Sequence, residues 1–236
     1  MKLKSKLVRG VAVTCAAALV LSGCVTTHIR NIDKFPQGTE GLKLLFMPID
    51  VELSEVGASG IQEPKAEWTE KARKNLISGI KQVFSDKQSR LVSYAEPTND
   101  QSAKTHTQLI KLHYQVGFEM MNQMVQPLPT KGKDQLKWTL GPQVQKLREA
   151  SNADYALFVV MRDSYASAGR VAAIAVAAIV FGVGLPGGIQ VGFASLVDLK
   201  TGEVVWFNRV ARGDGDLRTP DEAKETIKVL MKELPS

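Results

Sequence analysis

IQVGFASLVDLKTGEVVWFNRVA, Ile189 to Ala211, holds two apolar runs on either side of one turn. Short runs rich in valine and aromatic residues and bounded by turn residues read as strands. In the turn LKTGEV, Gly202 stands where a three-to-five-residue hairpin loop requires a left-handed backbone. An antiparallel hairpin is expected. Upstream, DYALFVVMRDSY, Asp154 to Tyr165, reads as a long strand, so the last third of the chain is β-rich.

Working outward, helices and strands alternate. LKLLFMPIDV, Leu42 to Val51, has the continuous apolar character of a strand buried on both faces, and the glycine-rich GASGIQEP leads from it to a helix. In that helix Trp68, Ala72, Leu76, Ile80, Val83 and Phe84 form one stripe, with Glu67 and Lys71, and Glu70 and Lys74, paired four apart on the exposed side. RLVSY, Arg90 to Tyr94, is a short strand. A helix over Thr105 to Met124 should turn Leu109, Leu112, Val116 and Met120 inward, and another covers Pro142 to Asn152. The last helix starts at Thr219-Pro220-Asp221-Glu222, the residues of a capping box with proline at the first helical position. The expected class is α/β, a three-layer-like mixed sheet flanked by helices.

The strand ADYALFVV following a helix, and then the hairpin ASLVDLKTGEVVW, resemble the periplasmic α/β domain shared by three groups. These are the curli-secretion lipoprotein, the lipoprotein activators of penicillin-binding proteins, and the amino-terminal domain of the Tol-system propeller protein. The resemblance implies a fold and a place in the cell envelope; one fold hosts unrelated roles, so it implies no particular activity.

The amino terminus carries an address. Lys2, Lys4, Lys6 and Arg9 precede the apolar run VAVTCAAALVL, and Leu21-Ser22-Gly23-Cys24 closes it. A basic leader, a short apolar core and small residues at the cut make a secretory signal peptide. The apolar core is far shorter than the roughly 20 residues of a spanning helix. LSGC resembles the lipobox of bacterial lipoproteins. That resemblance implies cleavage after Gly23, diacylglycerol on the Cys24 thiol, and N-acylation, as by palmitate, of the new amino terminus. Such an anchor holds effectively permanently, since two lipid signals already give stable attachment. Valine rather than aspartate at position 25 implies sorting to the outer membrane. Residues 1–23 are thus the signal peptide, 24–40 a lipidated tether read from the breakers Pro36 and Gly38, and 41–236 one periplasmic domain with an apolar insertion at 167–188.

Processing changes the charge. Four of the 30 basic residues lie in the leader, leaving twenty-six against 24 acidic residues, a balance of +2. A clustered basic face is absent from that balance, and nucleic acid is not an expected partner. The basic segment KGKDQLK, Lys131 to Lys137, reads as a solvated loop. Cys15 leaves with the leader and Cys24 carries lipid, so the mature chain offers neither a thiol nucleophile nor a disulfide.

The motifs for chemistry are thin. Met120, Met121 and Met124 near His113 have the soft character of a copper(I) site but read as core filling. Asp214 and Asp216 in RGDGD lack the later bidentate glutamate of a calcium loop. No nucleophile, base and orienting acid group together, and neither GASG nor GVGLPGG has the context of a phosphate loop.

VAAIAVAAIVFGVGLPGG, Val171 to Gly188, remains. Fifteen apolar residues make about 22 Å of helix, against a hydrocarbon core of about 30 Å, so it does not span. Without alternate polar positions it is no pore-lining strand, and without a polar face no ordinary surface helix. It reads as an apolar helical excursion between strands of the carboxy-terminal sheet. Alanines four apart at 168 and 172, and at 173 and 177, with Ala178 and Gly182, permit close helix contact. Ile174, Ile179 and Phe181 are the candidate contacts with membrane or a neighbouring protomer; packing on its own domain is the alternative. The expected function is a non-enzymatic outer-membrane lipoprotein, without cofactor beyond the lipid on Cys24. It would serve as an accessory or scaffold subunit bound to an envelope protein and to the inner leaflet of the outer membrane. A self-assembling export ring, and so a homo-oligomer, is one alternative, and a periplasmic metal-binding protein another.

Overall fold

The computed structural model describes residues 25–30, 42–85, 90–125, 138–182, 184 and 187–235. Strand β6, Tyr155–Ala166, lies at its centre and pairs along nearly its whole length. On one side runs the antiparallel series β7 (Gln190–Asp198), β8 (Val204–Arg212) and β1 (Val25–Arg30). On the other side β6 meets two parallel strands in succession, β2 (Lys43–Phe46) at its start and β3 (Asp50–Val56) at its end. β5 (Arg90–Ser93) continues from β2, and β4 (Gln62–Pro64) turns back on β3. Among the described residues the result is one mixed sheet of eight strands, and the α/β class read from the sequence holds.

Both faces of the sheet are covered. The first core unites Leu157, Val159 and Met161 of β6 with Leu196 and Trp206. It is closed by Ala72, Leu76, Ile80 and Phe84 of α1 (Ala66–Ser85) and by Ala223, Ile227 and Leu230 of α5 (Pro220–Leu230). The alternate residues Ala156, Phe158 and Val160 point the other way, with Phe193 and Phe207. There they meet Leu109 and Met120 of α2 (Asp100–Val125) and Leu147 of α3 (Gln145–Ser151). Period-two alternation with apolar residues on both sides is what makes the first seven residues of β6, Tyr155 to Met161, an unbroken apolar run in the sequence.

Several expectations are corrected. The single strand expected over Leu42 to Val51 is two, separated at Met47, Pro48 and Ile49, because proline has no N–H to give to a ladder. GASGIQEP is a hairpin tip followed by β4. The stripe of α2 is rotated: Leu112 is exposed, while His106, Leu109, His113, Gly117 and Met120 face inward. Two buried histidines are tolerated there because each has a partner; His113 Nε2 lies 2.6 Å from Ser195 Oγ, and His106 Nδ1 lies 3.1 Å from the Tyr94 hydroxyl. Glu67 pairs with Lys71 as expected, whereas Glu70 meets Arg73. Proline does open α5, but the Thr219 hydroxyl donates to the Asp216 carbonyl, so the capping box is not formed. Val25–Arg30, read as tether, is the edge strand β1. Gly23 and Cys24 lie outside the described residues, as does KGKDQLK.

Candidate functional site: an uncovered apolar helix at one end of the sheet

The register fixes which residues share an end of the sheet. β3 and β6 finish side by side at Val56 and Ala166, Gln190 of β7 starts opposite Asp163, and β8 finishes with Arg212 opposite Gln190. The chain leaves this end as α4, Ala168–Phe181. Its departure and its return are both tied down. Ser167 N donates to the Val56 carbonyl at 3.0 Å, and the Ser167 hydroxyl caps the helix by accepting from Arg170 N. On the return, Ile189 N donates to Ser164 Oγ at 3.0 Å, and Ser164 N donates to the Ile189 carbonyl at 3.1 Å.

A buried polar network stiffens the same end. Asp163 accepts from the Tyr165 hydroxyl and, at 2.9 Å, from Gln190 Nε2, while Gln190 Oε1 accepts from the Thr226 hydroxyl of α5 at 2.8 Å. Burial pushes the Asp163 carboxyl above the usual carboxylate range, against hydrogen bonds that pull it down. Burial foremost, and then the bond to Asp163, push the Tyr165 hydroxyl up. Arg218, held by Asp216, stacks 3.7 Å from the Tyr165 ring centroid and 4.6 Å from that of Trp68.

From this stiff base α4 projects without cover. No residue of α4 is buried. Ile179 is 84% exposed, Phe181 74%, Val180 63%, Val176 58% and Val171 56%, while Ile174 is partly covered. The packing of α4 on its own domain, left open by the sequence, is not what the fold contains. The hairpin tip between β3 and β4 stands beside its first turn. A Cβ built on Gly169 would lie 3.7 Å from the Ala58 side chain, and one on Gly60 3.7 Å from Arg170 Nη1. That tip carries exposed Ile61, and Ile189 is exposed on the return. Of the nine large apolar side chains that stand exposed among the described residues, seven belong to this end; the other two, Leu112 and Phe118, are on α2.

Two magnitudes bear on the patch. Fully burying a valine, isoleucine or phenylalanine is worth about 1.5–3 kcal/mol, so the five exposed side chains of α4 together forgo on the order of 5–10 kcal/mol. Isolated helices shorter than about 12–15 residues are also marginal in water, and α4 has 14 residues, many of them β-branched. Soluble proteins rarely expose a contiguous apolar patch of this kind unless something binds it.

The other candidate chemistry resolves into structure. Met120 is core, and His113, stacked on Phe158 with centroids 4.2 Å apart, is held neutral by burial down to about 3. Asp214 accepts from Arg212 Nε at 2.9 Å, and Asp216 from Arg218, as turn residues do. Among the described residues no three histidine, cysteine, aspartate or glutamate side chains gather as a metal site. A groove of about 760 Å³ between α2 and α3 is lined by polar side chains such as Glu96, Asn99, Gln143 and Lys146.

No family model matches the chain, and no curated protein matches it. Among solved structures it is similar to two dodecamers of PelC from Paraburkholderia phytofirmans. One, a point variant, has 12% identity over 90% of this chain and 98% of that one, and the second has 11% over 91% and 99%, both with a TM-score of 0.40. It is also similar to the LpoB C-terminal domain from Salmonella enterica, at 13% identity over 74% of this chain and 84% of that one, with a TM-score of 0.30. Likeness at that level carries no argument about function, and the site stands on its own geometry.

Proposed function

We propose that the protein is a non-enzymatic lipoprotein of the outer membrane, anchored through Cys24 and facing the periplasm, which acts by binding as an accessory or scaffold subunit of a cell-envelope assembly. The observation that carries this reading is α4, an apolar helix outside a well-packed domain, with hydrogen bonds where the chain leaves the sheet at Ser167 and where it returns at Ile189. The address comes from the basic leader and LSGC. Replacing Cys24 with Ser removes the thiol that would form the thioether. Labelled fatty acid should then no longer enter the protein, and the precursor should persist; label still entering the variant contradicts the anchor. Crosslinking in intact envelopes identifies the partner protein, and capture of no envelope protein contradicts the accessory role.

A second reading, a self-assembling ring, draws on a specific feature. Ala168 and Ala172, and Ala173 and Ala177, lie four apart on a helix with no buried residue, the spacing at which helix backbones approach closely. The mass of the detergent-solubilised lipoprotein discriminates: a defined multiple of the chain mass favours the ring, and a monomer removes it.

A further inference from the structure

We propose that α4, together with the β3–β4 hairpin tip, is a lipid-insertion site that enters the acyl region of the same membrane leaflet that holds the Cys24 lipid. The inference rests on the lipoprotein reading of Cys24 and adds an occupant for the uncovered helix.

The argument is topological. Val25 pairs with Ala211, Ala211 with Val191, and Val191 with Arg162, so the residue next to Cys24 stands level with Arg162, four residues before the end of β6. Three strand spacings of about 4.8 Å separate β1 from β6, and the four residues from Arg162 to Ala166 add about 13 Å along the strand. Val25 is therefore about 20 Å from the base of α4. The start of β1, the ends of β3, β6 and β8, the tip bearing Ile61 and the return bearing Ile189 all belong to this end. The β7–β8 turn with Lys200 and Gly202 is at the other end. Because Val25–Arg30 is an edge strand, an acylated Cys24 has no long tether on which the domain could swing away. The anchor would hold α4 at the bilayer surface, where a weak insertion suffices because the second contact is intramolecular.

Polarity on α4 is graded along the axis rather than around it. Ser167 and Arg170 lie in the first turn, and no charged residue follows until beyond Gly188. Val171 to Phe181 is eleven residues, or about 16 Å at 1.5 Å per residue, close to half of a hydrocarbon core of about 30 Å. No helix among the described residues is long and apolar enough to cross a membrane. A protein partner would need one apolar stripe, whereas exposed Val171, Val176, Ile179, Val180 and Phe181 lie on several sides of the helix, as suits immersion in lipid.

The test uses the full-length lipoprotein, purified and reconstituted into vesicles of phosphatidylethanolamine and phosphatidylglycerol. An environment-sensitive fluorophore is attached at Ile179→Cys, and in a control at Lys200→Cys on the opposite end of the sheet; an acylated Cys24 leaves no competing thiol. Doxyl groups placed midway along the lipid acyl chains should quench the probe at position 179 several-fold more than that at 200. Equal quenching at the two positions, with an intact mass that shows the acyl groups on Cys24, overturns the insertion and leaves the lipoprotein reading standing. A probe at 179 shielded from aqueous iodide but indifferent to the doxyl lipids marks a second copy on α4, and also overturns it. Absence of acyl groups from Cys24 in the mass overturns the lipoprotein reading itself, independently of the quenching.

Discussion

Replacing Ile174 and Ile179 with Lys separates a helix that is part of the domain core from one that is covered from outside. Ile179 is 84% exposed, so its lysine forgoes only the remaining sixth of a side-chain burial worth about 1.5–3 kcal/mol, a few tenths. Ile174 is partly covered and loses somewhat more. Lysine is the better helix former of the two residues by a few tenths of a kcal/mol per site, which offsets most of that loss. The net change is about 1 kcal/mol or less. For a domain of this size about 1 kcal/mol moves the melting temperature by roughly 2–4 °C. Thermal unfolding in water of the chain from Val25 onward, which carries no acyl group and needs no detergent, followed by far-ultraviolet circular dichroism, should therefore differ between variant and parent by no more than about 4 °C. Leu76→Lys, at a fully buried position of α1, is the contrasting case. A charge there costs several kcal/mol of a stability of about 5–15 kcal/mol and should abolish the cooperative transition. If the double α4 variant melted more than about 10 °C below the parent, a loss of several kcal/mol, α4 would be packed on its own domain, and both the binding role and the lipid insertion would lose their foundation.

Gly117→Ala should cost about 1–3 kcal/mol despite the better helix propensity of alanine, because the new methyl would lie 2.1 Å from the Phe193 ring; urea denaturation would read the loss as a lower midpoint. His113 stays neutral in the folded chain down to about 3, whereas in the unfolded chain it takes a proton near 6.5, so the unfolded state binds more protons between those values. Stability should fall as pH falls through that window, by up to about 1.4 kcal/mol per unit from this residue. His106, which burial also holds below its ordinary value, acts in the same direction, and Asp163, raised by burial, acts in the opposite one. His113→Gln should flatten the fall from about pH 6.5 to about pH 5.5 in denaturant titrations, and an unchanged slope would refute the assignment. Val25→Asp should shift the protein toward inner-membrane fractions on density gradients; unchanged fractionation removes the support for outer-membrane sorting.

Strands buried on both faces are the most legible part of the sequence. β6 and the β7–β8 hairpin are dominated by apolar residues because α1 and α5 cover one face and α2 and α3 the other. Gly202, at φ 82°, closes the hairpin with the backbone that the turn sequence requires. The stripe of α2 is illegible because periodicity counts histidine as polar, whereas His106 and His113 are buried beside hydrogen-bonding partners that follow β5 and come from β7. Sequence spacing cannot supply Tyr94 or Ser195 as partners. β1 escapes sequence reading for a different reason. VTTHIR has the β-branched character of a strand, but an edge strand is defined by the strand it meets, and β8 lies about 180 residues away in sequence.

The site divides in the same way. That Val171 to Gly188 is apolar is evident from composition; that it is uncovered is not, because a helix apolar all round is ordinarily buried. Exposure is evident only from the topology, which sends α4 off the end of the sheet while both faces are already filled by other helices. Ile61 and Ile189 join the patch for the same reason: β3 and β7 respectively end and begin where β6 ends. A free tether would leave the orientation of this domain to chance, and its apolar end would be a liability in the periplasm. Pairing of Val25–Arg30 with β8 removes that freedom, since the first residue after Cys24 is fixed to the sheet at the end from which α4 emerges. On the proposed lipoprotein reading, an acyl anchor at Cys24 would stand the sheet on end against the bilayer, with α4 toward lipid. The two helix-covered faces would then point sideways, away from the bilayer.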